Sequence, residues 1–597
     1  MRDEIQNTRT RYTYDLAGRL IKEEVRQNSA KDNGDLIRRT VFAYEDGTNR
    51  LISRKDVFAV MPVSTGYVYG NTANGEMADS IYGVTLNGYN QISYTYDSLG
   101  RKSSRTLNAS GSRNVVTEYS YLQGTDSSKT TTLLDTVTQD GVVTQYTYDA
   151  TGNITQISED GEVKRSYTYD ALNQLTSETR NGIAETYTYD NGGNILSRTR
   201  GGVTDTWSYE SMLWKDLLTS YNGQTITYDE IGNPLTYRDG MAMTWEHGRR
   251  LSALTKGSDS ISYTYNADGI RTSKTVNGQT TEYILDGSTI LGEKLPDGEY
   301  IYYLFDENGA RYGFARGVTL YYYVCNAQGD VVKILTSGGA TAAWYEYDAW
   351  GNVVNVGGNA DLANLNPIRY RGYYYDTETG FYYLNSRYYD PEICRFVNAD
   401  GYVSTGQGLL GNNMFAYCLN NPVSYIDPNG EAIAGAVSGG LIALAEIVLP
   451  ALAIVGGVVA IVVGVGAIIN EVSHPSISIP KEREDATTKT KKISGDTPIY
   501  RYGGTNPGIL TPRKNRDETT GLSFSTIPRS GAAMTTINAL NSTGIVYAVQ
   551  DGPTHISVKP VGASVPDWIS AGRDSIWTQA VKSVVIKWDV RKHDEIN

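Results

Sequence analysis

Cysteine is nearly absent. Cys325, Cys394 and Cys418 are the only three in 597 residues, and they form neither a CxxC pair nor a Cys/His group at zinc-ligand spacing. A disulfide framework, a structural metal site and a disulfide-linked partner are therefore not expected, and the thiols read as core filler. Phenylalanine is also scarce, 8 Phe against 47 Tyr. A ring that carries a hydroxyl must keep that hydroxyl bonded or wet, which suits a large sheet with one half-wet face and excludes an all-helical core. Positive charge is outweighed: 53 Lys and Arg face 66 Asp and Glu, a formal charge of −13, so the surface as a whole is not built to grip nucleic acid. The first residues, MRDEIQNTRTRYTYD, lack the apolar core of a signal peptide. They read as the continuation of a longer chain.

What is present is a repeat. Tyr12-Thr-Tyr14-Asp15 with Gly18-Arg19, Tyr94-Thr-Tyr96-Asp97 with Gly100-Arg101, and Tyr146-Thr-Tyr148-Asp149 with Gly152-Asn153 are clear copies. Others carry Asp170, Asp190, Asp229 and Asp348, and worn copies end in Asn266, Asp286, Asp306 and Asn326. The spacing is about twenty residues. One Tyr-x-Tyr run, one Asp-x-x-Gly turn and one Ser/Thr-rich alternating run make a β-hairpin, in which Asp bonds the turn's N–H groups and Gly accepts a positive φ. One acid per twenty residues is too sparse for shared calcium coordination.

These motifs resemble those of the Rhs/YD-repeat family over roughly residues 9–430. The run Arg369-Tyr-Arg-Gly-Tyr-Tyr-Tyr-Asp376-Thr-Glu-Thr-Gly380-Phe-Tyr-Tyr-Leu-Asn-Ser-Arg387-Tyr-Tyr-Asp-Pro-Glu-Ile-Cys-Arg395-Phe is similar to the Rhs-associated core signature. The resemblance implies a mainly β fold, a YD-repeat shell over 1–360 with the core over 361–430. With few visible repeats, that shell is expected to be incomplete. It also implies a bacterial polymorphic toxin, secreted or displayed at the cell surface, with a cognate immunity protein and a target macromolecule in a competing cell. Asn398-Ala-Asp400-Gly401-Tyr402 and Tyr425-Ile-Asp427-Pro428-Asn-Gly430 resemble paired turns that form an aspartyl self-cleavage centre in some relatives. Here the first turn lacks Pro, and Glu431 follows Gly430 where Leu is common.

After the core the composition changes. Residues 431–472 are expected to be a hydrophobic helical segment, and Ile447–Ile469 carries no charge, long enough to span a bilayer; transient membrane contact through 432–469 is one expectation, burial within the shell the other. Residues 473–496 are polar, charged and aperiodic, a linker. Residues 497–597 form a small α+β module, with strands expected near 499–502, 522–526, 544–549, 555–560 and 581–588 and a short helix near 530–540.

Arg501 at the end of the first of these strands, followed by the strand Ser523-Phe-Ser525-Thr526, resembles the ADP-ribosyltransferase arrangement. That resemblance implies NAD as cofactor, with Arg501 on its pyrophosphate and Ser523 and Ser525 bracing the pocket. The family's late-strand Glu has no clear counterpart; Gln579 lies nearest, then Asp551. The competing enzyme is a metal-independent ribonuclease that uses His555 as base and cations drawn from Arg513, Lys514, Arg516, Lys582 and Lys587. A third reading is a surface scaffold with a binding tip.

Overall fold

The computed structural model describes residues 2–431 except 4–5, 28–33, 59–60, 110–112, 125–129 and 402–409, then 434–435 and six later strands between 498 and 590. The expected hydrophobic segment, apart from Glu431 and Ala434–Gly435, and the 473–496 linker lie outside the described residues. Among the described residues no helix is long and apolar enough to cross a membrane. The chain divides into two compact units, Met1–Pro475 and Ser476–Asn597.

The described part of the first unit is two large antiparallel meanders, one of 20 strands and one of 14. Both are open sheets and neither closes into a barrel. Each hairpin is built as the repeat dictates. Asp149 accepts the backbone N–H groups of Thr151 and Asn153 on Oδ1, both at 2.9 Å, its Oδ2 accepts the Asn153 amide at 2.9 Å, and Gly152 takes φ +86°. The strand register skips one residue at the second tyrosine, between Thr147 and Tyr148, a bulge that recurs between Thr168 and Tyr169 and between Thr188 and Tyr189.

The two tyrosines divide the work. The first, as at Tyr146, Tyr167 and Tyr187, is buried in the core. The second is part-buried and donates its hydroxyl to a carbonyl of the preceding hairpin: Tyr148 to Leu134, Tyr169 to Ile154, Tyr189 to Leu175 and Tyr265 to Leu251, at 2.6–2.8 Å. Phenylalanine would pack there and leave the carbonyl unmet, which accounts for the skew in aromatic usage.

Inside lies a four-stranded sheet, Tyr374–Asp376, Phe381–Leu384, Arg387–Asp390 and Arg395–Phe396, in chain order. Every residue of Phe381–Leu384 and Arg387–Asp390 is buried. Ion pairs tie this plug to the second large sheet. Arg271, enclosed by Tyr263, Tyr283, Tyr374, Tyr383 and Tyr388, reaches Asp376 at 2.6 Å, and Arg238 reaches Asp390 at 2.6 Å.

One layer was not foreseen. Tyr300–Phe305, Arg311–Arg316 and Thr319–Cys325 are buried on both faces. Tyr303, Phe314 and Tyr323 belong to the core around the plug, whereas Tyr302, Leu304, Tyr312 and Tyr322 meet Phe58, Val84, Ile92 and Leu107 of the first sheet. Phe58 stacks on Tyr302 at 4.7 Å. Asp286 accepts Arg38 at 3.3 Å and Arg54 at 2.7 Å, and Lys102 pairs with Glu307. Early strands thus overlap the second face of later ones. The unbroken apolar runs YIYYLF and LYYYVC were the signal for two-sided burial.

The described part of the second unit is a six-stranded antiparallel sheet in the order Val546–Gln550, His555–Pro560, Leu522–Ser525, Pro498–Tyr502, Ala532–Thr536, Lys587–Val590. Ala532–Thr536 is a strand where a short helix was expected. It carries Ala-Ala-Met-Thr-Thr, a run that helix propensity does not separate from a strand; pairing with Pro498–Tyr502 decides it.

Candidate functional site

Asp400 and Asp427 lie 27 residues apart in the chain and meet on one guanidinium. Arg387 opens a buried strand of the plug, and its Nη2 lies 3.1 Å from Asp400 Oδ2 and 3.3 Å from Asp427 Oδ2. Both carboxylates are buried. The Arg387 head rests 3.5 Å from the centre of the Phe396 ring, and its Nη1 donates to the Met414 carbonyl at 3.2 Å.

The turn that carries Asp427 is fixed at both ends. The Tyr373 hydroxyl donates to the Asp427 carbonyl at 2.8 Å and accepts the Asp427 N–H at 3.1 Å. Asp427 Oδ1 accepts the N–H of Gly430 at 2.8 Å and of Glu431 at 3.1 Å. Gly430 stands at φ +79°, and a Cβ there would fall 2.6 Å from Ser386 Oγ and 2.9 Å from the Leu384 carbonyl, so only glycine lets the turn close on the plug. The Asp400 N–H donates to Met414 at 2.9 Å.

The Gly430–Glu431 peptide therefore sits in a cradle. Arg387 Nε donates to the Gly430 carbonyl oxygen, and Asp427 accepts the N–H on the other side of the same bond. A donor on the carbonyl oxygen favours charge developing there, and a carboxyl group beside the amide nitrogen stands where a leaving amine takes its proton. Desolvation, and then the charge of Asp400, raise the Glu431 carboxyl above its usual range, while Arg387 opposes them. Sequence reasoning chose both aspartates and missed Arg387 and Tyr373. Both occur in the core signature, but nothing in the spacing shows that they face the 427–431 turn.

In the second unit the strand register brings part of the other set together. Ser525 pairs with Tyr500 on one side and with His555 on the other; Ser523 pairs with Ser557. Arg501 is one position further and pairs with Ala533. Ser525, Tyr500 and His555 are thus in register across three neighbouring strands, and Arg501 is offset from them by one position. Lys587 pairs with Met534. Gln579, Asp551, Arg513, Lys514, Arg516 and Lys582 lie outside the described residues.

Comparison with known proteins gives three concordant results. The family described as Teneurin YD-shell matches residues 143–423. The tRNA3(Ser)-specific nuclease WapA of Bacillus spizizenii is 32% identical over 315 residues, 51% of this chain and 12% of that protein. The tRNA nuclease WapA of Bacillus subtilis matches to the same extent, and the double-stranded DNA deaminase toxin A of Burkholderia cenocepacia is 24% identical over 328 residues, 48% of this chain and 22% of that protein. The chain thus spans a small part of the length of the curated relatives it matches. Among solved structures, the TcdB2-TccC3-TEV crystal structure aligns with a TM-score of 0.54 and 22% identity over 70% of this chain and 23% of that one. A Photorhabdus luminescens Tc holotoxin pore aligns with a TM-score of 0.53 and 20% identity over 71% and 23%. At these identities the structures speak for the fold.

Proposed function

Because the chain belongs to the Rhs/YD-repeat family of polymorphic toxins, we propose that its repeat unit is a carrier that severs itself from its C-terminal module at the Gly430–Glu431 peptide. The observation that carries this reading is the cradle: one arginine bonds the carbonyl of that peptide and bridges two buried aspartates. In the reaction water adds to the Gly430 carbonyl carbon and one aspartate takes its proton. The two acids share one proton, so the other aspartate enters the step protonated; the C–N bond then breaks, and the Glu431 nitrogen leaves with that proton. Arg387 holds both acids in register and stabilises the oxyanion. The products are a Gly430 carboxylate and a chain that starts at Glu431.

The test is the mass of the purified full-length protein. We expect two fragments, one ending at Gly430 and one starting at Glu431, and a single intact chain for Asp427→Asn. Cleavage at another bond, or cleavage that persists in both Asp400→Asn and Asp427→Asn, would reject the assignment.

The released module is the toxic part, acting in the cytoplasm of a target cell and neutralised in the producer by an immunity protein. Two reactions remain for it. Curated relatives are named as tRNA nucleases, although those matches do not cover this module. Together with the Ser525–His555 pairing they support RNA cleavage based on His555. NAD-dependent transfer based on Arg501 is the second reading, supported by the adjacent Arg and Ser strands. Induction of residues 476–597 in bacteria, with tRNA integrity and labelled NAD followed together, separates the two. Fragmented tRNA that is lost with His555→Ala supports the nuclease. Label on macromolecules that is lost with Arg501→Ala supports the transferase. Normal growth with folded module present would reject a toxic payload and favour a binding tip.

A further inference from the structure

A partly enclosed cavity of about 30 Å³ lies between the two large sheets. Arg105 and Tyr119 line it from the first sheet, and Asp306, Arg311 and Cys325 from the second. That is room for a small ion or a water or two.

The charges around it do not cancel. Among the described residues neither Arg105 nor Arg311 has a carboxylate within ion-pair distance, and the Nε of each is shut off from solvent without an acceptor. Arg311 donates one terminal nitrogen to the Ile290 carbonyl at 3.1 Å, and its head lies over the rings of Tyr303 and Phe305 at 5.0 and 5.4 Å. Burial pulls this guanidinium below its ordinary range. Asp306 is the one carboxylate on the cavity wall, and its Oδ1 is engaged by the N–H groups of Asn308 and Ala310 at 3.0 and 2.9 Å. The adjacent Glu307 is neutralised elsewhere, by Lys102, and accepts the Tyr94 hydroxyl at 2.5 Å. The Cys325 thiol, pushed up to about 12 by burial, stays neutral. Both arginines are half-buried, and two cations against one anion leave one positive charge in a gap that water reaches only in part, which is costly unless it is paired.

We propose that this cavity binds a small monovalent inorganic anion of chloride size between Arg105 and Arg311, and that the ion pins the first sheet onto the second. The guanidiniums come from strands in different sheets, Lys102–Ala109 and Arg311–Arg316, so a shared anion is a cross-link that neither sheet makes alone. Planar fork donors suit it.

The test is thermal unfolding of the full chain at fixed ionic strength, with sodium chloride exchanged for sodium gluconate, whose anion is too large for the cavity. The expected result is a Tm higher by about 2 °C or more in chloride, rising with chloride concentration. Arg105→Gln should remove that difference. Wild-type crystals soaked in bromide should show an anomalous peak between the two guanidiniums, which keeps the proposal testable if the variant does not fold. Equal Tm in the two salts, a full chloride response in Arg105→Gln, or no bromide peak would each overturn it.

Discussion

At the scale of single residues, the tyrosines explain how a shallow repeat holds its neighbours. The hydroxyl of Tyr169 donates to Ile154 at 2.7 Å, so Tyr169→Phe removes a bond and strands a carbonyl, at a cost of about 1 kcal/mol. Chemical denaturation should register that loss and find little change for Tyr14→Phe, whose ring is 44% exposed. A second residue-scale consequence concerns pH. Glu178 faces Glu185 across adjacent strands, both are buried, and burial pushes the Glu178 carboxyl up to about 7. Asp348 adds to that rise, while Arg165, Arg180 and the Ala349 N–H oppose it. A carboxyl raised on folding contributes stability that is complete below its unfolded value near 4.3 and is lost as pH climbs through 7. The shell should therefore unfold at lower temperature at pH 8 than at pH 5, and Glu178→Gln should shrink the difference. An unchanged pH profile in the variant would show that the pair does not titrate as described.

Elements bring in interactions that no single hairpin contains. The overlap of early strands on Tyr300–Cys325 rests on Phe58, which is 3% exposed and stacked on Tyr302. Phe58→Ala should cost about 3–5 kcal/mol by opening a cavity, and limited proteolysis should then cut the first strands sooner than in the parent. The 427–431 turn, where cleavage is proposed, gives a prediction of a different kind. Gly430→Ala forces a Cβ against Ser386 and Leu384 at an unfavourable φ, so it should slow or stop cleavage. It should leave the shell's unfolding transition near that of the parent, since the turn follows the last strand of the plug and lies outside the two large sheets. A large fall in Tm would place the glycine in the structural frame instead.

For the whole molecule, the sequence made the architecture legible because its determinants are local and repeated. A Tyr-x-Tyr-Asp-x-x-Gly unit encodes a strand, a bulge and a turn within a dozen residues, and the copies forced a meander. The core signature was equally plain, as were the two aspartates. What could not be read were the distances between elements remote in sequence: Arg387 on both acids, Tyr373 on the turn, the second-face overlap, and two unpaired arginines across one gap. Apolar runs hinted at the overlap, but an apolar run does not name its partner. Hydrogen bonds and turn conformations depend on near neighbours, so the sequence alone determined the hairpins and their order. Burial and charge pairing depend on which distant surfaces meet, so only the tertiary structure decided where the acids converge, which peptide they hold, and where a charge is left to be paired.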